Sequence, residues 1–325
     1  MNQDTALRVE NLQVVLGDLK AVRGVSFSVM KGERWGLVGE SGAGKSLTAL
    51  AIMELLPEGW STSGSIWHEE VDLVTASDKT LSSYRGRTMS MIFQDPTTAL
   101  NPVLKVGKQI MWVLRHHMNL DKKSAYAQSL ELLVKMNLPR PESIMKSYPH
   151  QLSGGQRQRI MIAMAIACYP RLIIADEPTT ALDVTIQKQV LRLLDQAVKE
   201  RNCALLMITH DLPVIAAMCE RVAVMYGGRI VESGEVSEVF TNPRHPYTKG
   251  LLASQPTMDN IDFERKVRLP SIRGSVPTLH DMPEGCAFRD RCDFATDKCQ
   301  TLPELDEQNQ QVACWYPLAN SRIDE

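Results

Sequence analysis

The sequence predicts an α/β fold, with a largely parallel sheet that carries a phosphate-binding loop and a mostly helical insertion at roughly 96–165. Three observations predict it. Short apolar runs alternate with helix-period segments along most of the chain, the pattern of strands joined by crossover helices. One such run, Arg34-Trp35-Gly36-Leu37-Val38, leads directly into Gly39-Glu40-Ser41-Gly42-Ala43-Gly44-Lys45-Ser46. Another, Leu172-Ile173-Ile174-Ala175, is continuously apolar, as a strand covered on both faces of a parallel sheet must be.

Taken in order, residues 7–15 and 25–29 alternate as strands do, and 34–38 is the strand before the glycine-rich loop. Residues 47–56 suit a helix stopped by Pro57, and the polar turn 61–65 precedes a short strand at 66–68. Residues 88–93 form an apolar strand ending at Gln94-Asp95-Pro96. From 106 to 138 the pattern is helical, with Ile110, Val113 and Leu114, then Leu130, Leu133 and Val134, until Pro139 and Pro141 break it. A long helix over 156–168 precedes the strand at 172–175. Then come a helix at 184–201, a strand at 204–209 and a helix at 213–219. Strands at 222–226 and 229–233 flank Gly227-Gly228, a two-residue hairpin signal.

The spacing G-x-x-x-x-G-K-S over 39–46 is that of a loop that wraps a nucleoside triphosphate. A polyanion must be approached by bare backbone, which Gly39, Gly42 and Gly44 supply. Lys45 offers a point charge for the β- and γ-phosphates and Ser46 a hydroxyl for Mg²⁺. The helix opening at Lys45 directs its positive end at the phosphates.

Composition bounds the remaining classes. At ~150 residues per domain, 325 residues suggest two folded units. With 44% hydrophobic and 23% charged residues, the chain can build a core, which argues against disorder. A net charge of −2 without a long basic run argues against nucleic acid as the principal ligand. The polar start Met1-Asn2-Gln3-Asp4-Thr5 has no signal-peptide core, and no apolar stretch reaches the ~20 residues of a membrane helix. The expected location is therefore cytoplasmic, soluble or peripheral to a membrane. Of seven cysteines, Cys168, Cys203 and Cys219 lie in apolar or helical patterns and are expected to be buried thiols.

Two further motifs sharpen the reading. The apolar strand 172–175 ends in Asp176-Glu177; in a phosphate-loop enzyme such acids hold Mg²⁺ and polarise the attacking water. Leu152-Ser153-Gly154-Gly155-Gln156 precedes a long helix, with Ser153 as its cap and bare glycines at an anion-seeking start. It lies inside the insertion and cannot belong to the 39–46 loop, so it reads as a second phosphate-binding edge.

Together these residues resemble the ATPase cassettes of ABC transporters. Residues 39–46 match the Walker A loop, 172–177 the Walker B strand and 152–156 the LSGGQ signature. Gln94 matches the Q-loop glutamine, Ala181-Leu182-Asp183 the D-loop and His210 the switch histidine. The resemblance covers residues 7 to about 240 and implies two cassettes paired head to tail around two ATP molecules. Each signature (Ser153, Gly154, Gly155, Gln156) then closes over the partner's ATP. It implies Mg²⁺ at Ser46, Gln94 and Asp176, Glu177 as general base, His210 at the γ-phosphate and Asp183 at the dimer interface. Gln94 and the helical insertion would meet a membrane partner. One departure is plain: where the family stacks adenine on an aromatic residue, this chain has Leu16-Gly17.

The C-terminal part narrows the resemblance. His245-Pro246-Tyr247-Thr248 and the segment from Gly285-Cys286 to Arg291-Cys292, with Cys299 and Cys314-Trp315-Tyr316-Pro317, resemble the extension of dipeptide and oligopeptide importer ATPases. The wording at 285–292 and 314–317 is closest to subunits assigned to dipeptides, including D,D-dipeptides. The division expected is 1–240 for the cassette and 241–325 for the extension. The spacing C-x5-C-x6-C-x14-C is neither a zinc-finger nor a familiar ferredoxin pattern, and leaves cluster, structural zinc and plain thiols open. The resemblance implies a [4Fe–4S] cluster on Cys286, Cys292, Cys299 and Cys314, with Zn²⁺ as the alternative. It also implies a second, non-identical ATPase subunit, two membrane permeases and an extracytoplasmic substrate-binding protein, with this chain on the cytoplasmic face of the inner membrane and no nucleic acid partner. Importers of nickel, metallophores or glutathione share the cassette. A soluble ABC ATPase acting on ribosomes or DNA is the reading from a different class.

Overall fold

The computed structural model describes residues 4–180, 182–255, 271–306 and 308–319, so Ala181 of the D-loop and the first three residues lie outside the described residues. Strands β1 (Thr5–Leu16) and β2 (Leu19–Met30) open the chain. In β1 the buried positions Val9, Leu12 and Val14 change phase once, at Asn11, whose φ of 47° lets two successive residues, Glu10 and Asn11, face outward. Then follow β3 (Arg34–Val38), α1 (Lys45–Ile52), β4 (Trp60–His68) and β5 (Val71–Asp72), with β2-β1-β4-β5 as the order of the smaller sheet. Next are α2 (Asp78–Tyr84), whose N-cap Ser77 accepts from the Thr80 N–H, and β6 (Met89–Ile92).

The insertion holds α3 (Pro96–Ala99), α4 (Val106–Met118), α5 (Lys122–Lys135), α6 (Pro141–Lys146) and α7 (Gly154–Ile166). The helical stretch expected over 106–138 is thus two helices. Asn119, in the left-handed region at φ 54°, closes α4, and Asp121 caps α5 by accepting from the Ser124 N–H at 2.9 Å. Pro141 then starts α6 at a first-turn position, where its missing N–H costs nothing. The chain continues through β7 (Leu172–Asp176), α8 (Val184–Arg201), β8 (Ala204–Thr209), α9 (Leu212–Met218), β9 (Arg221–Tyr226) and β10 (Arg229–Glu235). It ends with α10 (Val236–Thr241), α11 (Pro246–Ala253) and β11 (Gln311–Val312).

The chain forms two compact units. One comprises Met1–Arg8, Ser28–Arg34 and Trp67–Ile208. Its core is a parallel ladder in which β7 pairs with β6 on one side and β8 on the other, and all five residues of β7 are buried. That is the central strand expected from 172–175. Helices α4, α5, α6 and α7 pack against one another in the same unit.

The other unit comprises Val9–Phe27, Trp35–Ile66 and Thr209–Glu325. Here β3 pairs parallel with β9, and β9 and β10 form the expected antiparallel hairpin. Gly227 and Gly228 have φ of 52° and 79°, as a tight hairpin turn of matching twist requires. Strand β11 extends β10, with Glu232 opposite Val312, so the C-terminal segment is tied into this unit by main-chain pairing. Glu232, fully buried, accepts from the Arg244 N–H, the His245 N–H and the Gln310 amide at 2.7, 3.0 and 2.8 Å. Among the described residues no helix is long and apolar enough to cross a membrane.

Ile174, fully buried in the central strand, is a direct probe of the first unit's core. Ile174→Ala is expected to cost about 2–5 kcal/mol, read as a fall in the urea midpoint of that unit.

Candidate functional site

The loop 39–46 bridges β3 and α1 in the second unit and is shaped from behind. A side chain on Gly39 would collide with the Met225 carbonyl oxygen. One on Gly44, at φ 101°, would meet the Ala21 carbonyl oxygen at 2.8 Å. Both glycines are therefore required by close backbone approach as well as by conformation. The Gly228 N–H donates to the Ala43 carbonyl at 3.1 Å, so the β9–β10 turn props the loop. Gly44 caps α1 without a side-chain hydrogen bond, which leaves the helix start open to an anion. Lys45 is buried and folds back, its ammonium donating to the carbonyls of Gly39 and Glu40 at 2.9 and 3.0 Å. Glu40 departs from its role as a spacer of the motif: its carboxylate grips Arg291 and its N–H donates to the Tyr247 hydroxyl at 2.9 Å. His210, in the same unit, is exposed just after β8, and Asp211 beside it caps α9.

The remaining candidates lie in the first unit. Asp176 ends β7 and is buried. Glu177 follows in the left-handed region at φ 50°, a conformation uncommon for a non-glycine residue that concentrates where function fixes the backbone. Its N–H donates to the Ile208 carbonyl at 2.8 Å, and its carboxylate accepts from the Thr180 hydroxyl at 2.5 Å. Gln94 is exposed after β6, next to Asp95, the cap of α3. Ser153 and Gln156 form a reciprocal capping box: the Gln156 N–H donates to the Ser153 hydroxyl, and the Ser153 N–H to the Gln156 side chain at 2.9 Å. The helix therefore begins at Gly154, two residues before the expected 156. A side chain on Gly154 would meet nothing, whereas Gly155 backs onto Ile186. Asp183 is exposed and caps α8, accepting from the N–H groups of Thr185 and Ile186. Leu16, at the place of the missing aromatic, is partly exposed at the end of β1.

A family model described as "ABC transporter" matches residues 22–180, and one described as "Oligopeptide/dipeptide transporter, C-terminal region" matches residues 231–299. The chain is 48% identical over 306 residues to Probable D,D-dipeptide transport ATP-binding protein DdpD of Escherichia coli (strain K12), spanning 93% of this chain and 92% of that protein. It belongs to the ABC transporter ATP-binding proteins. This ATPase is also 50% identical over 304 residues to Oligopeptide transport ATP-binding protein AppD of Bacillus subtilis (strain 168), spanning 91% of each. Its fold is similar to the ATP-binding cassette MJ0796, solved as a dimer in a post-hydrolysis state with ADP and Pi. The TM-score is 0.64 at 26% identity, over 71% of this chain and 98% of that one. The α/β cassette fold and the ATPase activity expected from the sequence follow from this membership.

The cysteine expectation is corrected. Cys286, Cys292, Cys299 and Cys314 do line one cavity, with Phe288, Phe294 and Trp315. The free space there is small, about 10 Å³, room for about one water. Among the described residues no group of three or more His, Cys, Asp or Glu is placed to hold a metal ion, which speaks against the expected cluster. With no metal beside them, burial pushes the Cys286 thiol up to about 11 and raises those of Cys292 and Cys314. The segment is held instead by β11 and by packing around the buried Phe288. Of the other three cysteines, Cys168 and Cys203 are buried as expected and Cys219 is half-buried.

Arg291, Tyr247 and Tyr226 are the residues that sequence reasoning missed. The His245-Pro246-Tyr247-Thr248 string and the arginine before Cys292 were visible, but nothing local links them to a loop more than two hundred positions away. His245, fully enclosed, caps α11 by accepting from the Tyr247 N–H through Nδ1. Burial depresses its pKa from 6.5 to about 3. Below pH 6.5 the unfolded chain takes up a proton that the folded chain refuses, so stability falls with pH down to about 3. The slope is about 1.4 kcal/mol per unit. His245→Asn, a cap that does not titrate, is expected to recover about 2–3 kcal/mol of the loss between pH 7 and 4.5, read from urea midpoints at the two values.

Proposed function

We propose that this ATPase energises the import of dipeptides or short oligopeptides, D,D-dipeptides included. The observation that carries the reading is the coexistence, in one chain, of the ABC transporter match and the oligopeptide/dipeptide C-terminal match. Relatives named for D,D-dipeptide, oligopeptide and dipeptide transport support it. We assign residues 1–240 to the cassette, with the helical insertion at roughly 96–165, and 241–325 to the extension.

The motif matches support the residue roles. Residues 39–46 bind the triphosphate, and Lys45 must leave its carbonyls to do so. Ser46, Gln94 and Asp176 offer hydroxyl, amide and carboxylate oxygens, a donor set that suits a hard ion such as Mg²⁺, which keeps waters and phosphate oxygens as its other ligands. Glu177 takes the proton of the attacking water and His210 contacts the γ-phosphate. Ser153, Gly154, Gly155 and Gln156 close over the ATP of a partner cassette, and Asp183 faces that partner. Leu16 lacks a π-face for the adenine, so either base selection is weaker than on an aromatic residue or another residue supplies the stacking. The assembly is a pair of non-identical ATPases on the cytoplasmic face of the inner membrane, with two permeases and an extracytoplasmic binding protein.

Purification of the intact assembly tests this reading. Two hydrophobic subunits are expected to accompany the ATPase, and peptide-loaded binding protein is expected to stimulate hydrolysis. Stimulation by nickel, a metallophore or glutathione alone, or retention by nucleic acid with no membrane partner, would sink it. Within that assembly Glu177→Gln is expected to keep ATP binding and lower turnover by about 100-fold or more, the share that a positioned base supplies. Turnover at the wild-type rate would remove Glu177 from the chemistry.

A further inference from the structure

Glu40 stands at a position of the phosphate loop where the motif specifies no residue type, yet its side chain makes a two-point contact with a distant arginine. Its two carboxylate oxygens accept from both terminal nitrogens of Arg291, at 2.6 and 3.1 Å. Its backbone N–H donates to the Tyr247 hydroxyl. Arg291 is buried, and its fork is fully engaged: the same Nη1 also donates to the Tyr226 hydroxyl at 3.3 Å, and Nε to the Arg273 carbonyl at 2.8 Å. Its guanidinium lies over the rings of Tyr226 and Phe288. Tyr226 ends β9 and stands next to Tyr247 and Phe288, with ring centroids 4.6 and 5.3 Å away. Two separate pieces of the C-terminal segment, one carrying Tyr247 and one carrying Arg291, therefore converge on the first turn of the loop.

This has an electrostatic consequence. A carboxylate in a loop that must receive a triphosphate repels its ligand, and the repulsion is strong where water is partly excluded. The bidentate arginine cancels that charge and fixes the carboxylate in place. We propose that Arg291 and Tyr247 are positioning residues of the nucleotide site. In this proposal, which rests on the ATPase reading, the C-terminal segment neutralises and holds Glu40 and so sets the affinity of the loop for nucleoside triphosphate.

The test uses the intact transporter, with KM for ATP, kcat and the thermal midpoint without nucleotide measured for each variant. Arg291→Gln is expected to raise KM for ATP about tenfold with kcat at saturation nearly unchanged, because it exposes the charge of Glu40 to the ligand. Adding Glu40→Gln to it is expected to bring KM back to within about threefold of wild type, a rescue that a purely structural arginine would not allow. Tyr247→Phe, which removes one hydroxyl, is expected to raise KM about threefold. Wild-type KM in Arg291→Gln, or a double variant no better than the single one, overturns the proposal. If Arg291→Gln does not fold, Tyr247→Phe decides: a KM raised about threefold supports the proposal and a wild-type KM overturns it. Lys45→Ala separates the two levels. A wild-type transporter without ATPase activity would refute the ATPase reading itself. Loss of activity in Lys45→Ala beside wild-type KM in Arg291→Gln would refute the positioning role alone.

Discussion

A triphosphate can be met at close range only by backbone N–H groups, and that demand determines how the strand-to-helix junction at 39–46 is built. Bare backbone is not enough, since an unsupported glycine-rich loop would lose its shape to conformational entropy. Here the loop is pressed from behind. The Met225 carbonyl leaves no room for a side chain at Gly39, and the Ala21 carbonyl leaves none at Gly44. The β9–β10 hairpin reaches it through Gly228. The glycines are thus defined on two sides, by the ligand in front and by β-structure behind, and Lys45 meanwhile satisfies the carbonyls that the turn leaves pointing inward.

The same logic recurs in the first unit, with polar side chains in place of glycines. Ser153, Asp183 and Asp95 each stand at a helix start and accept from N–H groups of the first turn. These are motif residues, or neighbours of motif residues, with a local structural task. The cap fixes where the helix begins, and so where the adjoining loop presents its polar groups. Glu177 is held differently. A left-handed backbone at φ 50°, anchored by the Ile208 carbonyl, turns its side chain out of the path of β7 toward Thr180. Strain of this kind persists only where its surroundings over-determine it.

Much of this was legible in the sequence because the governing interactions are local. The phosphate loop, the continuous apolar strand at 172–175 and the Gly227-Gly228 hairpin each declare themselves within a few residues. The break inside 106–138 is also local but was masked: Asn119 and Asp121 are the end and start signals, and the apolar period on either side runs through them. The cysteines misled for a different reason. Their count and clustering suggest a metal, but whether four sulfurs enclose an ion depends on the space between them. Here Phe288, Phe294 and Trp315 share the lining with the sulfurs, and the free space among them is about 10 Å³. The tie from Arg291 to Glu40 had no local signal at all, since its partners lie 251 positions apart.

Why this site keeps an ion pair, rather than an apolar contact of the same size, follows from the energetics of burial. Enclosing a guanidinium carries a desolvation cost of several kcal/mol, and well-packed hydrophobic residues often match or exceed a buried pair in stability. Stability alone is thus a weak reason for Arg291. The aromatic surroundings of Tyr226, Tyr247 and Phe288 could have accepted an aliphatic side chain and still attached the C-terminal segment, which β11 and Glu232 already anchor. What an aliphatic residue cannot do is cancel the charge of Glu40 or hold its carboxylate with two directed hydrogen bonds. The pair is therefore best understood through what lies on the far side of Glu40, a loop whose ligand is itself an anion.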